Sequence, residues 1–430
     1  MESSPELPHP ARAGRPERIG LALAGGAPEG AVYEVGALYA LDEALGGGQL
    51  NDLAVYVGVS SGAVLAACLA NGITPAQMCR ILAGAEPGEP PFLADTFLQP
   101  AFQALRNGAL ALPGLLGGAL WNYVSRLGSS TLLESLTRLS RALPVGFFDN
   151  EPIRLYLEEV FTRPGRSDDF RLLKRPLLVV ATDLDSGLAA RFGEPGLDHV
   201  PISRAVQASA ALPGLYPPVE IAGRHYVDGI LLKTLHASVA LERGAELVLC
   251  INPIVPVDTA RAVDQGVLPR GKLLDLGLPT VLTQTFRTLV HSRLEVGMAA
   301  YETRFRGADV VLLEPERHDY TMFFTNIFGF DERIRVCEHA YQATRATLLA
   351  RFDELAPVLA RHGLTLCREV LADSARDLWQ SVGAPGATGG RQRRKAVRTT
   401  GRQPAPGQAV VHRLDDALSR LDRLVDARFP

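Results

Sequence analysis

The sequence predicts an α/β chain, a three-layer α/β/α arrangement with a mainly parallel central sheet and helical insertions. Three observations lead there. Short apolar, β-branched runs alternate with longer runs whose apolar residues recur at helical period. The junctions between them are tight and glycine-rich, as in "LAGGAPEG" and "VGVSSG". The same alternation resumes after a long interruption, so a second set of strands can join the first.

Residues 1–17 are proline-rich and read as a disordered tail, and the patterned domain is placed at 18–375. "RIGLALAGG" is an apolar strand running into a glycine turn, and "GAVYEVGALYALDEAL" sets Val32, Val35, Leu38, Leu41 and Leu45 on one helical face. "LAVYVGVS" is a second strand, and "SGAVLAACLANG" is a small-residue helix closed by Asn71-Gly72. Between about 86 and 143 the strand pattern stops and aromatic, Leu-rich and Gly-rich pieces suggest a helical cap. Then "RPLLVVATDLDSG" gives a strand, "SRAVQASAAL" a helix, "RHYVDG" a strand end, and "LKTLHASVALERGAELVLCINP" a helix and a buried strand. Residues 256–306 read as a second helical insertion, followed by the strand "ADVVLLEP" and the helix "ERIRVCEHAYQATRATLLARF". A basic low-complexity linker over 381–408 leads to an amphipathic helix over 409–430 with Leu414, Leu418, Leu421 and Leu424 on one stripe.

Composition narrows the function classes. The chain has 430 residues, 47% hydrophobic and 21% charged, with a net charge of −3, so no strong positive field invites nucleic acid. Cys68, Cys79, Cys250, Cys337 and Cys367 form no CxxC pair, which fits reduced core thiols of a cytoplasmic protein. No HExxH or clustered ligand spacing points to a metal, and no cofactor is expected. The N-terminus lacks the apolar core of a secretory signal. The most apolar run, Gly108 to Val124, is short for a span and is interrupted by Pro113, so peripheral rather than spanning membrane contact is expected.

The chemistry concentrates in two strand-to-helix loops and one strand end. Gly58-Val59-Ser60-Ser61-Gly62 is a G-x-S-x-G between a strand and a helix; such an elbow exposes Ser60 at a helix N-terminus, and Gly58 and Gly62 relieve the crowding around it. The bland alternative is a glycine turn with a serine cap. A nucleophilic serine needs a base. Asp228, followed by Gly229 at a strand end, is the leading candidate, although an isolated Asp-Gly is usually a simple turn. His318, after the last strand, is the rival base in a Ser-His-Asp arrangement. The loop Gly25-Gly26-Ala27-Pro28-Glu29-Gly30 offers backbone N–H groups to something negative, yet carries a proline without an N–H and a carboxylate.

Together, the glycine loop, the elbow and the distant Asp-Gly resemble the patatin-like phospholipases. "GVSSGAV", "ATDLDSG", "SRAVQASAALPGLYPPVEIAGRHYVDG" and "GAELVLCINP" are similar to that family's core blocks in order, from about Ile19 to Pro253. The resemblance implies a Ser60–Asp228 dyad without histidine, acting on acyl esters of lipids. It implies an oxyanion hole at Gly25, Gly26, Ala27 and Gly30. This chain departs from the family's Gly-Gly-Gly-x-Arg/Lys-Gly loop at Ala27, Pro28 and Glu29, and Ile230 follows Asp228-Gly229. Ala27 fits without strain only if its φ is negative. Glu29, if it points inward, opposes an anionic headgroup. Either the substrate is a less charged ester, with Glu29 and Ile230 setting specificity, or the fold has become a weakly active or non-catalytic lipid-binding protein.

Phe92, Phe97, Leu98, Phe102, Leu112, Leu115, Leu116 and Trp121 in the cap read as an acyl-chain pocket, a lipid-facing surface or plain core. Phe323, Phe324, Phe328 and Phe330 read as core or pocket wall. The tail bases Arg391, Arg393, Arg394, Lys395, Arg398 and Arg402 read as a solvated run or a patch for anionic lipid. Oligomeric state is left open.

Overall fold

The computed structural model of the protein describes residues 18–46, 49–92, 99–100, 145–264, 266, 274, 277–320 and 330–384. Within them the strands are β1 (Ile19–Leu23), β2 (Val55–Val59), β3 (Gln99–Pro100), β4 (Phe148–Asp149), β5 (Leu177–Asp183), β6 (Ala189–Phe192), β7 (Val219–Ile221), β8 (Arg224–Asp228), β9 (Leu247–Ile251) and β10 (Asp309–Leu313). The helices that matter for the site are α1 (Ala27–Ala44), α2 (Ser61–Ala70), α3 (Pro75–Leu82), α4 (Glu151–Phe161), α5 (Ile202–Ser209), α6 (Ala237–Glu242), α7 (Thr259–Asp264), α8 (Leu278–Arg304) and α9 (Phe330–Ala350).

Eight strands form one sheet in the order β10-β9-β1-β2-β5-β8-β7, with β6 also on β5. The first five run parallel, and β6, β7 and β8 are antiparallel. Side chains alternate between the two faces. Ile19, Leu21 and Leu23 of β1 join Tyr56, Leu177 and Val179 in one core with α1 and α2. Ala22, Val55, Val57, Leu178 and Val180 join a second core with α6 and with Leu294 and Tyr301 of α8. Two buried faces explain why the central strands are apolar throughout. The expected α/β/α layering is therefore present around a mixed sheet.

Helix α1 starts three residues ahead of the expected Gly30, because Pro28 and Glu29 suit a first helical turn: one lacks an N–H that would be unpaired there, the other complements the helix dipole. Gly36 lets α1 cross α9 closely, since a Cβ there would collide with Cys337 O. The short strands β6 and β7 carry too few residues to stand out from turns in the sequence. Residues 256–306 hold α7 and α8. All five cysteines are free thiols, three of them buried. Among the described residues no helix is long and apolar enough to cross a membrane.

Phe92 packs edge-on to Tyr156 at 6.0 Å between ring centroids. Phe97, Leu98, Phe102, Leu112, Leu115, Leu116, Trp121, Phe323, Phe324, Phe328, the N-terminal tail, the tail bases and the C-terminal helix lie outside the described residues.

Candidate active site

The strand register brings the two chemical residues together. β2 and β8 lie on the same edge of β5, because β6 occupies the other edge opposite both of them. β2 runs parallel to β5 and ends with Val59 opposite Val180. β8 runs the other way and ends with Asp228 opposite Ala181, the next residue. Two strands thus approach head to head and stop, and the first residue past β2 is Ser60. Its Oγ donates to Asp228 Oδ2 at 2.7 Å.

Ser60 has φ 54°, left-handed backbone that costs a non-glycine residue of order 1–3 kcal/mol. Neighbouring contacts hold it. Its N–H donates to Ser209 Oγ at 2.8 Å, and that hydroxyl donates to Val180 O at 2.6 Å. Gly58 and Gly62 flank the elbow where a Cβ would strike Ala63 and the Ala24 carbonyl, respectively. The sequence pattern did not single out Ser209, which holds the elbow by these two bonds; its signal is only a serine closing a helix.

Asp228 is 2% exposed. Burial pushes its carboxyl up to about 7, against the opposing effects of the Ser60 hydroxyl and the Ile230 N–H. Oδ1 accepts from that N–H at 3.0 Å, and the Asp228 carbonyl accepts from Thr182 Oγ1 at 2.9 Å. Gly229 is required behind it, since a Cβ would meet Val180 O and Val59. A buried carboxyl with such a raised value can take a proton from a serine and return it.

The glycine loop lies beside the serine. A Cβ on Gly25 would stand 2.7 Å from Ser60 Cβ and 3.1 Å from Ile230 Cδ1, so only glycine leaves the hydroxyl in place. Gly26 and Gly30 pack on Pro253. The Gly30 N–H donates to Gly26 O at 2.8 Å, within the first turn of α1. The N–H groups of Gly25, Gly26 and Ala27 take part in no hydrogen bond among the described residues. Ala27 has φ 55°, so the condition for an unstrained alanine is not met. The N-termini of α1 and α2 both open beside Ser60, which favours negative charge there.

These residues floor a cavity of about 520 Å³ whose walls are largely apolar, including Val64, Ile153, Leu212, Tyr216, Ile254 and Phe286. Ser61 and Val64 separate it from a smaller apolar cavity of about 60 Å³ lined by Cys68, Phe92 and Tyr156. Glu29 does line the larger cavity, paired with Arg287 of α8 at 3.8 Å. Burial raises the Glu29 carboxyl and the Arg287 guanidinium partly offsets this.

His318 is elsewhere. It pairs with Glu316 at 2.6 Å and lines a separate cavity with Tyr33, Asp319 and His339. His236 is buried behind the aspartate turn, its Nε2 3.4 Å from Gly229 O, and burial pushes it down to about 4. No histidine lines the Ser60 cavity among the described residues. Nor do those residues contain a group of three or more His, Cys, Asp or Glu able to hold a metal.

The family model for patatin-like phospholipase matches residues 21–241, just over half of the chain. Among solved structures, VipD from Legionella pneumophila is 18% identical with a TM-score of 0.36, over 78% of this chain and 68% of that one. The type III effector protein ExoU is 13% identical with a TM-score of 0.33, over 94% and 70%. ExoU of Pseudomonas aeruginosa in complex with SpcU is 16% identical with a TM-score of 0.27, over 89% and 78%. The family-model match covers the glycine loop, the serine elbow and the Asp-Gly turn in one continuous segment, and the chain belongs to the patatin-like phospholipase family.

Proposed function

We propose that the protein is a serine acyl hydrolase that cleaves acyl esters of lipids through a Ser60–Asp228 dyad. The observation that carries this is the 2.7 Å hydrogen bond from Ser60 Oγ to a buried carboxylate at the floor of an apolar cavity. Ser60 Oγ attacks the ester carbonyl while Asp228 Oδ2 takes its proton. The tetrahedral oxyanion is held by backbone N–H groups of Gly26 and Ala27, each such donor worth roughly 3–4 kcal/mol. Collapse expels the alcohol, protonated by Asp228. Water, deprotonated by Asp228, then attacks the acyl carbonyl, and Asp228 returns that proton to Ser60 Oγ as the fatty acid leaves.

The apolar walls suit an acyl chain, and contact with a membrane surface would be peripheral. Pro28 fits this reading, because it occupies a first-turn position whose N–H is not needed by the helix. Gly30 supports the loop through its close packing on Pro253, with its N–H turned into the helix.

The test is labelling with a fluorophosphonate probe alongside hydrolysis of a lipid panel. Wild type is expected to label and turn over, Ser60→Ala to do neither, and Asp228→Asn to lose turnover. His318→Ala is expected to keep turnover. Wild-type protein that binds lipid but never reacts at Ser60 would sink the hydrolase reading in favour of a lipid-binding protein. Loss of turnover in His318→Ala with survival in Asp228→Asn would replace the dyad with a histidine base.

A further inference from the structure

The charges of the cavity are few and arranged in depth. Among the described residues its charged lining consists of Asp228, Glu29 and Arg287. Asp228 and Ser60 are 2% and 7% exposed, whereas the Glu29 side chain is 34% exposed and Arg287 15%. Leu282, one turn before Phe286 on α8, is 58% exposed and lines the same cavity. The Glu29–Arg287 pair therefore lies toward the mouth, above the dyad, in an otherwise apolar wall.

The two charges of the pair are close. At 3.8 Å, Glu29 Oε2 and Arg287 Nη2 attract each other without a direct hydrogen bond. Two opposite charges a few ångström apart present a dipole to whatever enters. A headgroup with net negative charge gains from Arg287 and loses to Glu29. An uncharged headgroup takes water from both and returns only hydrogen bonds without a charge of its own, weaker than a charge pair. A headgroup carrying an anion and a cation a few bonds apart satisfies both.

We propose that Glu29 and Arg287 together select a zwitterionic headgroup, with the phosphate on Arg287 and the ammonium on Glu29. The proposal rests on the hydrolase reading of Ser60. It assigns Arg287 a specificity role from outside the segment matched by the family model, which ends at residue 241. It also changes the meaning of Glu29: the carboxylate is half of a recognition dipole, and phosphate-bearing substrates are admitted when they carry their own cation.

The experiment compares three lipids with one short acyl chain, kept below micelle concentration: a lysophosphocholine, a lysophosphoglycerol and a monoacylglycerol. Rates for wild type, Glu29→Gln, Arg287→Gln and the double variant are normalised to a soluble ester without a headgroup. The double variant removes both charges together, so neither is left buried alone. Wild type is expected to favour the phosphocholine over the phosphoglycerol by about threefold to tenfold, the scale of one half-buried charge contact. Glu29→Gln should abolish or invert that ratio. Arg287→Gln should lower both phosphate lipids relative to the monoacylglycerol, and the double variant should level all three. Headgroup ratios equal within about twofold across the four proteins would overturn the proposal. If no ester is cleaved, the hydrolase reading fails instead. The same lipids are then measured by equilibrium binding to Ser60→Ala, where equal affinity for the three headgroups overturns the selection.

Discussion

Asp228→Asn should move activity and stability in opposite directions, and the size of the second effect follows from burial. Burial takes the wild-type carboxyl from its ordinary 3.8 to about 7 in the folded protein. That is roughly 3 units, or about 4 kcal/mol at 1.36 kcal/mol per unit. The folded state holds a proton that the unfolded chain releases, so this contribution is complete below pH 3.8 and is lost as pH rises to about 7. Asparagine has no such titration. It keeps Oδ1 as acceptor for the Ile230 N–H, and its amide donates to Ser60 Oγ, so the local bonds survive while the serine loses its proton acceptor. Urea unfolding of both proteins at about pH 5 and about pH 9 is the assay. The stability of the variant relative to wild type should rise by roughly 3 kcal/mol between the two. In parallel, wild-type kcat/KM on a soluble ester should rise about tenfold per pH unit below about 7 and then level, with the variant inactive throughout. Stability curves that stay parallel from pH 5 to 9, or a wild-type rate independent of pH across that range, would refute the assignment of a buried, raised carboxyl as the base.

Other changes test the loop and the elbow. Gly25→Ala places a methyl against Ser60 and Ile230, and should cut kcat by at least about tenfold with a smaller effect on KM; a wild-type rate would mean the close approach is not needed. Ala27→Gly relieves a left-handed alanine and should stabilise the protein by about 0.5–1 kcal/mol in chemical denaturation, net of the greater freedom of unfolded glycine. A destabilised Ala27→Gly would contradict the strain. Ser209→Ala removes the acceptor for the Ser60 N–H and the donor to Val180 O, costing about 1–3 kcal/mol of stability and lowering kcat more than it raises KM. Equal stability would show that the elbow is held by other contacts.

Much of this site was legible because it is local. The G-x-S-x-G elbow, the glycine loop and the Asp-Gly turn are each short strings whose backbone needs dictate residue type. Their order along the chain carried the family resemblance. Ser209 and Thr182 were not legible: Ser209 acts through two hydrogen bonds from the end of α5 and Thr182 through one between neighbouring strands, and a lone serine or threonine near an element end has no distinctive pattern. Helix α1 begins three residues before the start that its apolar period suggests, because Pro28 and Glu29, common in loops, both suit a first helical turn.

By itself, then, the sequence determined the alternation of strands and helices, the two-sided apolar core, the serine at an elbow and the candidate carboxylate, since periodicity and turn chemistry are local properties of the chain. Only the tertiary structure decided that β2 and β8 meet end to end on β5, which brings Ser60 within 2.7 Å of Asp228 across 168 residues. It alone put His318 in a different cavity and set Arg287 opposite Glu29. Those outcomes depend on strand register and on where a distant helix packs. Each is a long-range contact whose partners are fixed by the whole core, and no window of sequence contains both sides of it.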